Sequence, residues 1–570
     1  VAEFDLAADT RVPYRTMEIP LPALAGSRPF ELSLDSRSAH PARLGMALDW
    51  MELERRGPAS ARFGLPGGVL ARLAACVLAA FAAIRLCGGD RRLAAALGAS
   101  VAACATLGAW ADVLAFERIV REGAAAFLAV AAVCVALLRV RRLRAALAVE
   151  SDAAAGVLAT LVLVALGVRL VLLLHPGFYY PDVRVHAMFA WQVARHGLAA
   201  FLRDFTESQF RYSLGLQFEN GHWYAFPYPP LFYVLTWPLV RLLRYRPEVA
   251  VSLLAAGLNA LEAILVFAIG RRLALGPAVA LAAAAAHPLL PIFLARLSLA
   301  YFPALVGHFV DAVVILYLAA RLPRLDRPRT VLALAGLIAL ALLTYTQSLL
   351  NFGLLLPLLL LLQLAFDRTP GARRRQVGLA AAGVLGALLS LAVFYGRYVP
   401  VFLDMRRGVP MREEQVLIEK QARQRPSAEE PEPQTPDDPY AGAGLDPLRG
   451  LRKAAWRMYV FYAWFAPAVV AGLVLLHRSS SRDAARLIAA WALTYLVLNL
   501  ASGGLPGPNL VRYNKDMEVV APLFCLGLGA VGVWLAQVAK PLGLAFAVSY
   551  WVFGARRAAR YLTEKFVLER

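Results

Sequence analysis

Asp182 is the residue whose type and position first suggest chemistry. It stands in HPGFYYPDVRVHAMFAWQVARHG, residues 175–197, just after a long apolar run that ends at residue 174. Val185, Met188, Phe189 and Val193 follow at helical spacing, with Arg184, Arg195 and His196 as their polar partners. The stretch therefore reads as an amphipathic helix lying in a membrane interface. A carboxylate at the start of such a helix, tuned by partial burial, could take a proton from a hydroxyl group. It could also cap the helix, since Asp is a favoured N-cap residue, and the two roles are compatible. His186 follows at i,i+4, where it shares a site with Asp182 or serves as plain interfacial polarity.

Other residues of suitable type are scattered more widely. Tyr228, Tyr233 and Trp237 in YPPLFYVLTWPL could stack on a sugar, line a lipid groove or form an interfacial aromatic belt. Tyr345 and Gln347 could close a cavity from another polar stretch, or serve structure alone. Asp204, Glu207 and Glu219 lie in the same outer segment as Asp182 and could assist it, or serve only as solvated loop acids. Glu262 and Asp311 sit in apolar runs, where a charge is expensive; they either pair with polar neighbours or mark an ion path. The five cysteines all lie in apolar runs and offer no metal-ligand or disulfide spacing.

The elements that must position these residues are membrane helices. Of the 570 residues 59% are hydrophobic and 17% charged, against about 25% charged in soluble chains. Mean hydropathy is +0.58. The net charge of +20 comes from arginine clusters set between long apolar runs, not from a nucleic-acid-binding face. Soluble enzymes, disordered chains and nucleic-acid binders are poor readings. Apolar runs cover 66–88, 92–116, 120–140, 153–174, 249–270, 276–296, 302–320, 330–348, 349–366, 376–395, 454–476, 484–500, 517–537 and 541–554. Most reach the roughly 20 residues needed to cross a bilayer. The arginine-rich loops near 139–144, 321–329, 368–375 and 478–486 all fall on the cytoplasmic side only if the Pro-rich run 229–242 is re-entrant or interfacial. Residues 1–65, 175–248, 296–303, 345–351, 397–453 and 501–516 then lie outside. Strict counting also puts the basic C-terminus (Arg556, Arg557, Arg560) outside, against the charge rule.

These residues and their order resemble the GT-C superfamily of membrane glycosyltransferases, in the branch of the protein mannosyltransferases and aminoarabinose transferases. The likeness rests on Asp182 in the first outer loop, YPPLFYVLTWPL at 228–239, AIGRRLALGPAVALAAAA at 268–285 and VRYNKDMEVVAPL at 511–523, and spans about 153–535. It implies transfer of a sugar from a polyprenyl-phosphate donor to a glycan, lipid or protein acceptor, with inversion at the anomeric carbon and Asp182 as base. It implies cations for the donor phosphate; Arg512 is the first choice and Lys515 the second, and a cation there would offset charge developing on the leaving group. Arg184, His186, Tyr228, Tyr345 and Gln347 complete the expected substrate contacts. Two departures stand out. Asp182 is a lone acid followed by Val183, and ARLSLAYFP at 295–303 has Arg296 but no carboxylate. Both weaken the case for a divalent cation, the one candidate cofactor, because hard cations want several oxygen ligands.

The expectation is thus an all-α polytopic membrane protein of about 13–15 transmembrane helices with a small N-terminal β segment. The β segment covers 1–58, where PFELSLDSRSAHPARLGMALDWMEL resembles the closing half of an extracytoplasmic jelly-roll in some bacterial GT-C relatives; this implies earlier strands and an anchor in the natural protein. Three accessory spans occupy 59–150. The membrane core covers 151–400, a Pro- and acid-rich flexible loop 401–453, and C-terminal spans 454–570. The expected setting is a bacterial plasma membrane, with the site on the extracytoplasmic side and membrane lipids around it. Two rival readings stay open: a transporter or flippase of a lipid-linked substrate, in which Glu262 and Asp311 matter most, and an inactive GT-C scaffold in envelope assembly.

Overall fold

The computed structural model describes residues 66–567, with breaks at 112, 176–177, 179, 212–215, 220–221, 226–227, 244–245, 398, 400–446 and 505–514. The β segment expected over 1–58, residues 401–446 of the expected flexible loop and Arg512 lie outside the described residues. The chain forms two compact units, residues 1–71 and 72–570. Of the first, only the start of α1 is described.

The second unit is helical. It comprises α1 (Gly67–Leu86, from Arg72 onward), α2 (Arg91–Ala111), α3 (Val113–Arg139), α4 (Arg141–Ala146) and α5 (Asp152–Leu174). Next come α6 (Pro181–Arg211), a short antiparallel hairpin pairing Leu216–Glu219 with His222–Ala225, and α7 (Leu231–Leu242). Then follow α8 (Pro247–Arg272), α9 (Pro277–Ala286), α10 (Pro291–Ser298), α11 (Phe302–Arg321), α12 (Pro328–Thr344), α13 (Gln347–Phe366) and α14 (Ala372–Val393). The last group is α15 (Pro447–Tyr462), α16 (Ala466–Ser479), α17 (Arg482–Gly504), α18 (Lys515–Val519), α19 (Ala521–Val538) and α20 (Lys540–Val567). Proline marks many of the starts, including those of α8, α9, α10 and α12. At a helix N-terminus its missing N–H removes no intrahelical bond.

Eleven stretches of the described residues are long and apolar enough to cross a membrane, so the protein is a polytopic, helical membrane protein. They coincide with eleven of the fourteen apolar runs read from the sequence. The other three runs are covered by α2, by α12, which has only 17 residues, and by α20. Residues 447–453 carry enough charge to be grouped with the loop before them, yet they open α15: Lys453 and Arg457 turn inward and are buried.

Contacts between loops sort the helix ends into two sets. At one end Arg271 donates to Glu150 (2.8 Å) and Arg272 to the Ala145 carbonyl (2.6 Å). At the same kind of end Asp367 receives Arg375 (2.9 Å), and Arg486 donates to the Phe366 carbonyl (2.7 Å). Burial opposes ionisation of Asp367, but the Thr369 and Arg375 hydrogen bonds outweigh it and hold the carboxyl down at about 2. Arginines from four loops thus gather at this end. At the opposite end Arg246, just before α8, bonds Glu122 of α3 at 2.6 Å, and the last residues of α5 share a cavity wall with the first turn of α8. The chain therefore leaves the bundle after α5 and re-enters at α8 on the same side. α7, with 12 residues, rises only about 18 Å, short of the roughly 30 Å of hydrocarbon. So α6 and α7 make no net crossing. α6 bends at Gly197, whose φ of 80° favours a residue without Cβ. α20 folds back on α19, with Gly543 against Ala536 and Tyr550 donating to the Ala286 carbonyl. This carries Arg556 and Arg557 to the end opposite the other arginine clusters, as strict counting requires.

α16 and α19 approach each other closely. A Cβ on Gly472 would stand 2.0 Å from the Gly527 carbonyl oxygen. Small residues at such crossings let the backbones meet. Gly472→Leu should lower the thermal unfolding temperature in detergent, with a loss of about 1–3 kcal/mol or more from overpacking. Gly167→Leu, where nothing lies within 4 Å, should leave it unchanged.

Candidate functional site: a polar cluster at the end opposite the arginine loops

The residues at this end fall into two linked groups. The first surrounds His186. The i,i+4 spacing puts it one turn beyond Asp182, and its ring is buried among aromatic side chains. Tyr228 and Phe232 lie edge-on with centroids at 5.8 and 6.0 Å, and Phe302, at the start of α11, lies at 6.5 Å. His186 Nδ1 shares a 3.1 Å hydrogen bond with the Tyr233 hydroxyl. Burial pushes the imidazole down to about 3, so the ring is neutral near pH 7.

The second group centres on Glu518 in α18, which is 1% exposed. Its carboxylate pairs with Arg296 of α10 and with His308 Nε2 of α11. His308 Nδ1 faces Asp311 Oδ2 at 3.5 Å. Asp311 in turn accepts from Ser348 Oγ (2.8 Å) and Asn351 Nδ2 (3.1 Å) of α13. Two carboxylates, one imidazole and one guanidinium thus form a single buried chain. The Arg296 guanidinium also lies 4.8 Å from the Tyr301 ring centre. Tyr345 packs edge-on against His308 at 5.6 Å. Burial pushes its phenol well above the usual range, and Glu518 adds to the rise, so it remains a hydrogen-bond donor. Tyr301, whose ring Arg296 faces, directly precedes Phe302, which lies against His186, so the two groups meet at the start of α11.

A third pair flanks them. Asp516 of α18 is buried against Arg457 of α15 and accepts 2.8 Å from Asn499 Nδ2 of α17. Deeper in the bundle Arg169 donates to Asn259 Oδ1 (2.8 Å), and Asn259 donates to Glu262 (3.0 Å), which lies 3.5 Å from His287. Glu262 and Asp311 are therefore both paired with polar neighbours inside the bundle.

Of the residues nominated from sequence, His186, Tyr228 and Tyr345 come together. Gln347, at the start of α13, is buried in the same region. Asp182 is half-buried in the first turn of α6, and Arg184 is exposed beside a cavity lined also by Arg118 and Glu122. Lys515 begins α18, but its side chain, like all of Arg512, lies outside the described residues. Sequence reasoning passed over Glu518 and Asp516, although both stand in the quoted VRYNKDMEVVAPL. The available signal was an acid within an apolar run, next to a helix start. Among the described residues no three His, Cys, Asp or Glu side chains gather as metal ligands.

Two predictions follow from the burial. Glu518→Gln strands the Arg296 charge and should destabilise the protein by about 3–5 kcal/mol, read by thermal unfolding in detergent, while Asp326→Asn at an exposed position should change nothing. His186 resists protonation when folded but not when unfolded, so its stabilisation is present above about pH 6.5 and is lost progressively toward pH 3. The unfolding temperature of the native protein should therefore fall more steeply between pH 6.5 and 4 than that of His186→Phe. The sequence was also compared with models of known protein families and with curated proteins, and neither comparison found a match.

Proposed function

We propose that the protein is a membrane glycosyltransferase that moves a sugar from a polyprenyl-phosphate donor to an acceptor at the extracytoplasmic face. The observation that carries this reading is the meeting of Asp182's helix, Tyr228, Arg296, Tyr345 and Glu518 at the end of the bundle opposite the arginine-rich loops. Arginine-rich loops favour the cytoplasm, so that end faces out, where lipid head groups sit. The site is then wet enough for an acceptor hydroxyl and apolar enough for a lipid donor.

In this mechanism Asp182 takes the proton of the acceptor hydroxyl. The hydroxyl oxygen attacks the anomeric carbon as the bond to the phosphate oxygen breaks, and the phosphate leaves with both electrons. Arg512 and Lys515 are assigned to the departing phosphate, and Arg184 in the first turns of α6 to the substrate. Tyr228 and Tyr345 offer aromatic faces and hydroxyls to the sugar. The buried chain from Arg296 through Glu518 to Asp311 holds the supporting helices in place.

A second reading, transport of a lipid-linked substrate, draws on one feature. The α9–α10 span is interrupted by a 3-10 turn at His287–Leu289, and that break faces Arg169, Asn259 and Glu262. Broken helices beside buried charges recur in transporters.

The test uses purified protein in nanodiscs with radiolabelled polyprenyl-phosphate sugars, following label released into water or onto an acceptor. The native protein should turn over. Asp182→Asn should lose about 10²–10⁴-fold in rate while keeping donor binding. Label that crosses the bilayer of proteoliposomes intact, with Glu262→Gln abolishing the movement and Asp182→Asn sparing it, would replace the enzyme by the transporter.

A further inference from the structure

A groove of about 330 Å³ runs between α12, α13 and α14. No polar side chain lines it, and Gly353 of α13 and Gly383 of α14 are among its walls. The local sequence explains the gap. Gly353 brings no side chain, and a Cβ there would meet nothing within 4 Å. Pro357, one turn on, has no N–H for the Gly353 carbonyl, and its ring pushes that carbonyl aside.

Position says what fills it. Gly353, Pro357 and Val384 are exposed at its rim, and Leu361, Val377 and Leu388 leave the neighbouring faces of α13 and α14 bare, so the groove opens sideways into the bilayer. It begins at Leu349, near the start of α13, and reaches Leu360. That is a rise of about 16 Å, half of the roughly 30 Å of hydrocarbon. Leu342, near the end of α12, and Ala387, toward the end of α14, place its mouth at the end opposite the arginine-rich loops. A dry groove one leaflet deep suits a single acyl chain. At the mouth α14 gives way to a 3-10 turn, Tyr395–Arg397, which the Tyr395 hydroxyl fastens to α12 by donating to the Leu342 carbonyl at 2.7 Å. Arg397 is exposed on that turn, at the level of the lipid head groups, where a basic side chain attracts an anionic phosphate.

We propose that the groove is a binding site for one acyl chain of an anionic glycerophospholipid from the leaflet on that side, with the lipid phosphate at Arg397. A lipid tail gains no hydrophobic free energy by leaving other tails, so packing in the gap and charge at its mouth hold the molecule. At 3.6 residues per turn Gly353, Pro357 and Leu360 lie on the side of α13 away from Ser348 and Asn351, which face the polar cluster. A chain seated here is not aimed at the candidate site, which favours a bilayer lipid over the tail of a lipid-linked donor. The inference stands apart from the glycosyltransferase reading.

The experiment is photo-crosslinking. Full-length protein in nanodiscs receives phosphatidylglycerol with a diazirine midway along one acyl chain, is irradiated, and is mapped by peptide mass spectrometry. Adducts should concentrate on residues 352–360 and 379–387 and should saturate, with unlabelled phosphatidylglycerol competing. Gly353→Phe fills the groove from a position with open space around it. It should abolish these adducts and spare those on the exposed face of α20 near Leu544 and Val552. Ala380→Phe fills the groove from α14 should the first variant fail to fold, and unfolding temperatures check both. Arg397→Gln should weaken competition by phosphatidylglycerol about fivefold and leave competition by phosphatidylcholine unchanged. Adducts spread over α13 and α14 in proportion to exposure, or unmoved by both filling variants, would mean ordinary bilayer contact and overturn the site. Displacement by polyprenyl phosphate at concentrations where phosphatidylglycerol has no effect would give the groove to a donor's tail and overturn the phospholipid.

Discussion

A buried carboxylate with a guanidinium and an imidazole partner organises one end of this bundle. Glu518 meets Arg296 and His308, and through His308 it reaches Asp311, Ser348 and Asn351. Four helices (α10, α11, α13 and α18) are tied by side chains that could not stay buried separately. Within a bilayer there is no water to solvate an unpaired charge, so each partner is held by the other's desolvation penalty. The network therefore acts as a positional lock. It fixes where α18 packs and where Tyr345 enters from α12, and so where any substrate at this end would find its walls.

The same constraint shapes the rest of the chain. At one end arginines bond loop carbonyls and the acids Glu150, Asp152, Asp367 and Asp483. The other end carries aromatic rings, half-buried Asp182 and the cavity beside it. α7 is too short to cross and α6 is too polar, so both remain near the surface and enclose His186 between them and α11. The Glu122–Arg246 bond brings α3 into this region. The accessory helices therefore contribute to the wall of the candidate site, although nothing in their apolar sequence signals it.

Lys453 and Arg457 illustrate where local reasoning fails. In RGLRKAAWRMYV they look like a solvated helix start, and the apolar run is naturally begun at residue 454. In the fold both are buried: Asp516, brought in from α18, accepts from Arg457, and Asn499 of α17 donates to the same carboxylate and holds it there. Glu518 and Asp516 escaped nomination for the matching reason: an acid beside a helix start reads as a cap until its cation is known. Asp182, His186, Tyr228 and Tyr345 were easier to single out, since they stand in polar, aromatic stretches at the ends of apolar runs.

Sequence alone determined the class of the protein, the positions of the long helices and most of their starts. Hydropathy is a sum over neighbours in the chain, and proline acts on the backbone at its own position, so both are legible without partners. Sequence also separated the arginine-rich loops from the aromatic ones. Only the tertiary structure decided which polar residues are buried together. His308 and Glu518 are 210 residues apart, and Arg246 and Glu122 are 124 apart. The favourable energy of such a pair exists only once both have left water, and nothing in either local stretch encodes the other's arrival.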